Sequence, residues 1–144
     1  MQNDVSSTQE STTDRRYGRC LENSRKIRWD IDKEVIRGRE LDYSGNFLPD
    51  GLSMVGRMKF LSAADARLLS QIQGRTYANI FGLVERFINA KVLEVATDYL
   101  FGDQTALEGL IRFSDEELKH QELFRRVEGL AGADTRRTSE CRTT

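Results

Sequence analysis

Residues 77–103 read YANIFGLVERFINAKVLEVATDYLFGD, a stretch without proline in which large apolar residues recur at three- and four-residue steps. This spacing places them on one face of an α-helix. They are Tyr77, Phe81, Val84, Ile88, Val92, Val95 and Tyr99. Upstream, Ser62 and Asp65 match a capping box, so the helix is predicted to begin at about Ala63 and to run to about Leu100.

A second helix is predicted directly after this one. Gly102 should end the first helix, and Asp103 can serve as the N-cap of the next. The second helix should run from about Gln104 to Leu130 and be closed by Gly132. Its apolar face consists of Ala106, Leu110, Phe113, Leu123, Phe124 and Val127. A short connection makes the helices antiparallel neighbours, so the sequence predicts an all-α fold built on a helical hairpin over residues 62–131.

The segments that flank the hairpin have a different composition. Residues 1–26 are rich in Ser, Thr, Gln and Arg, and we expect a disordered tail because they offer little apolar surface to bury. Residues 27–61 scatter apolar side chains among charges and turn formers, which predicts an irregular arm lying across the hairpin. Residues 132–144 are predicted to form a polar C-terminal tail.

Length and composition restrict the classes of function. A chain of 144 residues suits one domain, and a net charge of −1 with a pI near 5.9 provides no global field for nucleic acid or an anionic membrane. No apolar run approaches the roughly 20 residues of a membrane span, and the N-terminus does not resemble a signal peptide. We therefore expect a cytoplasmic protein with Cys20 and Cys141 reduced.

Three ionisable residues fall on the faces that should be apolar. Glu85 lies within the apolar stripe of the first helix, and His120 lies on the apolar face of the second, with Glu117 beside it. A buried carboxylate must be neutralised by a raised pKa, paired with a cation or bound to a metal. Glu-x-x-His places two donors one turn apart, and carboxylate and imidazole donors suit iron or manganese. The predicted metal ligands are Glu85, Glu117 and His120.

Other interpretations of these residues stay open. Either glutamate could pair with Arg112, Lys119 or Arg125, and His120 could be a hydrogen-bonded core residue. Glu116 could be a ligand, a partner of a ligand or a charge at the edge of the face. Tyr77 is an outside candidate for a redox-active or supporting group near a metal.

Several motifs are similar to those of a known family. They are WDIDKEVI at 29–36, NFLPDGLSM at 46–54 and FLSAADARLLS at 60–70, followed by the Glu85 helix. Over about residues 27–130 the chain resembles the N-terminal half of bacterial di-iron oxygenases related to p-aminobenzoate N-oxygenase. An inward Glu with a Glu-x-x-His also resembles one half of the site in ferritin-like di-iron carboxylate proteins.

The resemblance implies half of a ferritin-like four-helix bundle that binds two irons and activates dioxygen to oxidise a small organic substrate. Proteins of that family continue with a second Glu and a second Glu-x-x-His. We therefore expect either a homodimer in which each copy contributes Glu85, Glu117 and His120, or a truncated form of a longer enzyme. An iron-oxidising ferritin-like protein and a metal-free helical interaction module are the alternative functions.

Overall fold

The computed structural model describes residues 12–140, with side chains over 15–132. It contains three α-helices: α1 spans Thr12–Lys26, α2 spans Ala63–Ala96 and α3 spans Gln104–Glu140. A π-helical turn at Ile31–Ile36 and 3-10 turns at Val55–Arg57 and Thr97–Tyr99 complete the regular structure. No strand occurs within residues 12–140, which confirms the predicted all-α class. Within the same residues, no helix is both long and apolar enough to cross a bilayer.

The predicted caps determine where the two long helices begin. The backbone N–H of Asp65 donates to the Ser62 hydroxyl at 3.1 Å, and that hydroxyl donates to the Asp65 carboxylate at 2.6 Å. At the start of α3 the Asp103 carboxylate accepts from the N–H groups of Thr105 and Ala106, at 2.9 and 3.1 Å. These bonds satisfy N–H groups that a helix start leaves without partners, which confirms both predicted N-caps.

Helices α2 and α3 pack side by side and run antiparallel. Asn79 on α2 donates to Glu128 on α3 at 3.2 Å, and ten residues later Asn89 accepts a hydrogen bond from Ser114. Residue numbers therefore increase along α2 in the direction in which they decrease along α3. The most buried apolar residues of the two helices are the alanines Ala78, Ala96, Ala106 and Ala131. Small side chains at the contact let the two backbones approach closely.

The prediction of a disordered tail was wrong for residues 12–26, which form α1; residues 1–11 lie outside the described part of the chain. Leu21 is buried, the Arg25 guanidinium lies 2.9 Å from the Glu108 carboxylate, and the Tyr17 ring packs edge-on against Tyr99 at 6.4 Å. A few anchors on α3 and its preceding turn therefore hold α1. Tyr17, Cys20 and Leu21 do stand at helical spacing, but Leu21 is the one large aliphatic residue among them, so the period is weak against the many polar neighbours.

The predicted end of the second helix was also wrong, because α3 continues through Gly132 to Glu140. Residues 141–144 of the predicted polar tail lie outside the described part. Gly132 is buried, and a Cβ added there would lie 3.3 Å from Cζ of Arg75 on α2. This glycine permits a close approach between helices and does not terminate one.

The arm between α1 and α2 lies against the hairpin near its open end. The Gln71 amide donates to the carbonyls of Tyr43 and Gly45 at 2.8 and 3.1 Å, and the Tyr43 hydroxyl donates to the Leu130 carbonyl. Phe47 packs on Gly74, where an added Cβ would lie 2.7 Å from the Phe47 Cβ. The absence of a side chain at Gly74 therefore leaves the space in which Phe47 packs.

Gly74→Ala is expected to destabilise the protein by about 1–2 kcal/mol, because the clash with Phe47 outweighs the gain in helix propensity. Chemical denaturation monitored by circular dichroism measures the change. Gly129→Ala is the matched control, since nothing lies within 4 Å of a Cβ there, and it should stabilise α3 by about 0.5–1 kcal/mol. Equal stabilisation by both substitutions would contradict the packing of Phe47 on Gly74.

Candidate metal centre

The three predicted ligands come together where α2 and α3 face each other. His120 Nδ1 lies 3.4 Å from Glu117 Oε2 on its own helix and 3.9 Å from Glu85 Oε1 on the facing helix. One possible ligand atom from each of the three residues lies within 4.8 Å of the others. The antiparallel register brings Glu85 opposite Glu117, and the three-residue spacing of Glu117 and His120 puts both on one face of α3.

Both carboxylates are largely removed from water. The side chains of Glu117 and Glu85 are 6% and 14% exposed, whereas the His120 side chain is 39% exposed. A hydrogen bond with Glu117, burial and the charge of Glu117 together raise the pKa of Glu85 to about 6, and His120 acts in the opposite direction. Glu85 therefore keeps its proton into weakly acidic solution, and a metal cation bound between the two carboxyl groups would compete with that proton.

The cations that could have neutralised the glutamates pair elsewhere. The guanidinium of Arg112 lies 2.8 Å from Glu108, the amine of Lys119 lies 2.9 Å from Glu116, and Arg125 pairs with Glu122. Among side chains 15–132, His120 is the only basic group in ion-pair range of Glu85 or Glu117. Within the described side chains, neither glutamate has an Arg or Lys partner.

Glu116 is not part of this cluster. Its carboxylate accepts from the Trp29 indole N–H at 2.7 Å and from the Lys119 amine at 2.9 Å. Burial raises the pKa of Glu116, but the hydrogen bonds from Lys119 and Trp29 outweigh burial, and the pKa lies below its ordinary value. Of the three roles that the sequence left open, Glu116 therefore has the supporting one: it holds Trp29 and Lys119 beside the histidine.

Trp29 is the site residue that sequence reasoning missed. Its indole stacks on the His120 imidazole, with ring centroids 5.8 Å apart and planes 26° from parallel. The arm carries it there from 91 positions earlier in the chain, a distance that helical periodicity cannot bridge. The sequence offered one signal for Trp29, which is that it begins the WDIDKEVI motif at 29–36. The other aromatic candidate, Tyr77, has its ring contact with Phe81, with the ring centroids 6.1 Å apart.

Comparison of the chain with protein-family models, curated proteins and solved structures finds no match. The resemblance to p-aminobenzoate N-oxygenase-like enzymes therefore stays a prediction that rests on the motifs alone. What can be argued about function comes from the geometry of Glu85, Glu117 and His120.

The metal-free protein should lose stability as the pH rises through about 6. Glu85 has a higher pKa in the folded chain than its ordinary value of 4.5, so the folded state binds this proton more tightly. The associated stability is full below pH 4.5 and lost above the folded-state pKa, and a shift of this size corresponds to about 2 kcal/mol. Denaturation of chelator-treated protein across this range measures it.

Glu85→Gln removes the titrating group and should flatten this part of the pH profile. Glu94→Gln is the control, because Glu94 is an exposed carboxylate on the same helix and should leave the wild-type slope. A wild-type profile that matches the Glu85→Gln profile would show that folding does not raise the pKa of Glu85.

Proposed function

We propose that this chain is a metal-binding protein whose ligands are Glu85, Glu117 and His120, with iron as the preferred metal and manganese as the alternative. One observation carries the proposal: the buried Glu117 carboxylate and the largely buried Glu85 carboxylate face each other beside an imidazole, and neither has an Arg or Lys partner within residues 15–132. In the metal-free protein, this arrangement disfavours ionisation of both carboxyl groups together. A divalent cation reverses this effect, because it stabilises both charges at once.

The donor set favours iron or manganese over softer metals. Two carboxylates and one imidazole offer oxygen and nitrogen atoms without a thiolate, and the free Cys20 lies in α1, outside the cluster. Iron held by such donors with open coordination positions supplies reaction with dioxygen. In this proposal the residues of the chain hold the metal, exclude water from Glu117 and release the proton of Glu85.

The proposal includes a second copy of the chain, because three ligands supply half of a carboxylate-bridged di-iron site. A two-fold axis beside the site would double each ligand and complete it. Such a di-iron unit would act as an oxygenase on a small organic substrate. Oxidation of iron itself, as in an iron-storage protein, is the alternative use of the same site.

The surface around the site supports this arrangement. Phe81 and Val84 on α2 lie within about 100° of Glu85 around the helix axis, and Phe113 lies beside His120 on α3. All three are more than 40% exposed, although Phe81 stacks on Phe124 at 5.4 Å. An apolar surface that surrounds a half-exposed histidine suits burial against a second copy.

A second candidate function rests on the opposite side of α2. Four large apolar residues are exposed on the side that faces away from Glu85, and they are Ile72, Ile80, Leu83 and Phe87. A helix that is apolar on nearly all sides normally lies in the interior of a larger assembly. This feature favours a helical interaction module, which could function without metal.

Loading the protein with Fe²⁺ under anaerobic conditions, followed by desalting, should retain about one iron per chain, or two per dimer. His120→Ala and Glu85→Gln should each lower retention at least tenfold, because each removes one of three ligands. Iron analysis by absorption or mass spectrometry gives the count. Glu94→Gln is the control and should retain the wild-type amount.

The stability of the same variants separates a metal site from a structural ion pair. For a metal site, Glu85→Gln should weaken iron binding while the metal-free chain is unchanged or more stable, because a repulsive carboxylate has gone. A structural ion pair predicts that Glu85→Gln destabilises the metal-free chain. Wild-type protein that retains no iron would favour the metal-free interaction module.

The site-bearing face is tested by placing a charge on it. Phe81→Glu, about 40° from Glu85 around the axis of α2, should convert the iron-loaded dimer to a monomer and weaken iron binding, whereas Phe87→Glu, about 160° from Glu85, should leave both unchanged. Analytical ultracentrifugation with and without iron measures the association. A dimer that resists Phe81→Glu but dissociates with Phe87→Glu would show that the copies meet on the other side.

A further inference from the structure

The single tryptophan of the chain lies over the candidate metal ligand His120. Trp29 belongs to the arm, two residues before the π-helical turn at Ile31–Ile36. Its indole ring stacks on the imidazole at 5.8 Å and 26°, and its N–H donates to Glu116 at 2.7 Å. One side chain therefore contacts the imidazole through its ring face and a neighbouring carboxylate through its only polar atom.

Glu116 is itself held in place. The Lys119 amine donates to it at 2.9 Å and lies 5.7 Å from the centroid of the Trp29 ring. The indole, the carboxylate and the ammonium group thus contact one another pairwise, and each of them lies on or beside the turn of α3 that carries His120. Such a closed set of contacts restricts the orientation of the indole more than stacking alone would.

The arm around Trp29 is fixed to α3 on both sides. Arg28 lies 3.8 Å from Asp115, and Asp32 forms an ion pair with Arg126. Between them, the Asp30 carboxylate accepts from the N–H groups of Asp32 and Lys33 at 3.0 and 2.9 Å and caps the π-helical turn. These contacts set the backbone position from which the indole reaches His120.

We infer that Trp29 is a positioning residue for His120: it fixes the plane of the imidazole and covers it, so that Nδ1 stays directed toward Glu85 and Glu117. The inference rests on the proposed metal site. An imidazole that is 39% exposed is otherwise free to rotate about χ2, and each rotation would remove the nitrogen from the cluster. Residues that orient a ligand in this way typically change metal affinity by about 10- to 100-fold.

The test uses Co²⁺ as a spectroscopic probe of the site in the full-length protein. Trp29→Ala should weaken Co²⁺ binding about tenfold, measured by competition with a chelator, and should change the visible d–d absorption of the bound ion. Trp29→Phe keeps an aromatic ring and loses the N–H bond to Glu116, so its loss should be smaller. Phe60→Ala is the matched control, because Phe60 is an exposed aromatic residue of the same arm, and it should bind as the wild type does.

The emission of Trp29 provides a second readout. Because the chain has one tryptophan, saturating Co²⁺ should quench most of the wild-type fluorescence. Wild-type protein that binds Co²⁺ without quenching, or Trp29→Ala protein with unchanged affinity and absorption, would overturn the role of Trp29 and leave the metal site standing. Wild-type protein that binds no Co²⁺ would overturn both. Should Trp29→Ala fail to fold by circular dichroism, Trp29→Phe decides through its affinity and spectrum.

Discussion

The approach of two carboxylates across the contact between α2 and α3 is the constraint on which the rest of the structure depends. Glu117 is buried and Glu85 largely buried where the helices meet, and among residues 15–132 only the His120 imidazole lies within ion-pair distance of them. Hydrophobic packing alone would exclude such a pair, because two ionised acids in a poorly hydrated place repel each other. The hydrogen bond with Glu117, burial and the charge of Glu117 together raise the pKa of Glu85, and a proton on Glu85 or a bound cation relieves the repulsion.

The packing around the cluster buries small side chains and leaves large apolar ones exposed. The buried apolar residues of the two long helices are alanines, while large side chains such as Phe81, Leu83 and Phe87 remain exposed. Small residues let the helices approach closely enough for the acid groups to meet. The large residues then offer apolar area to another surface, and the free energy of association would add to the modest stability of the isolated hairpin.

The arm contacts the hairpin both near its open end and at the candidate site. Phe47 packs against Gly74 near the open end of the hairpin, whereas Trp29 stacks on His120 nearer the middle of the hairpin. Ion pairs from Arg28 and Asp32 to α3 keep the intervening chain in place. A segment without a regular helical pattern thus reaches the site through a few polar and aromatic contacts with α2 and α3.

The sequence by itself determined the two long helices, their caps at Ser62 and Asp103, and the three residues of the candidate site, because periodicity and capping act over a few residues. It did not determine α1, the passage of α3 through Gly132, or the place of Trp29 on His120. Those features depend on contacts between positions far apart in the chain, such as Leu21 with its surroundings on α3 and Gly132 against Arg75. Only the tertiary structure decided them, since a local pattern carries no information about what packs against it.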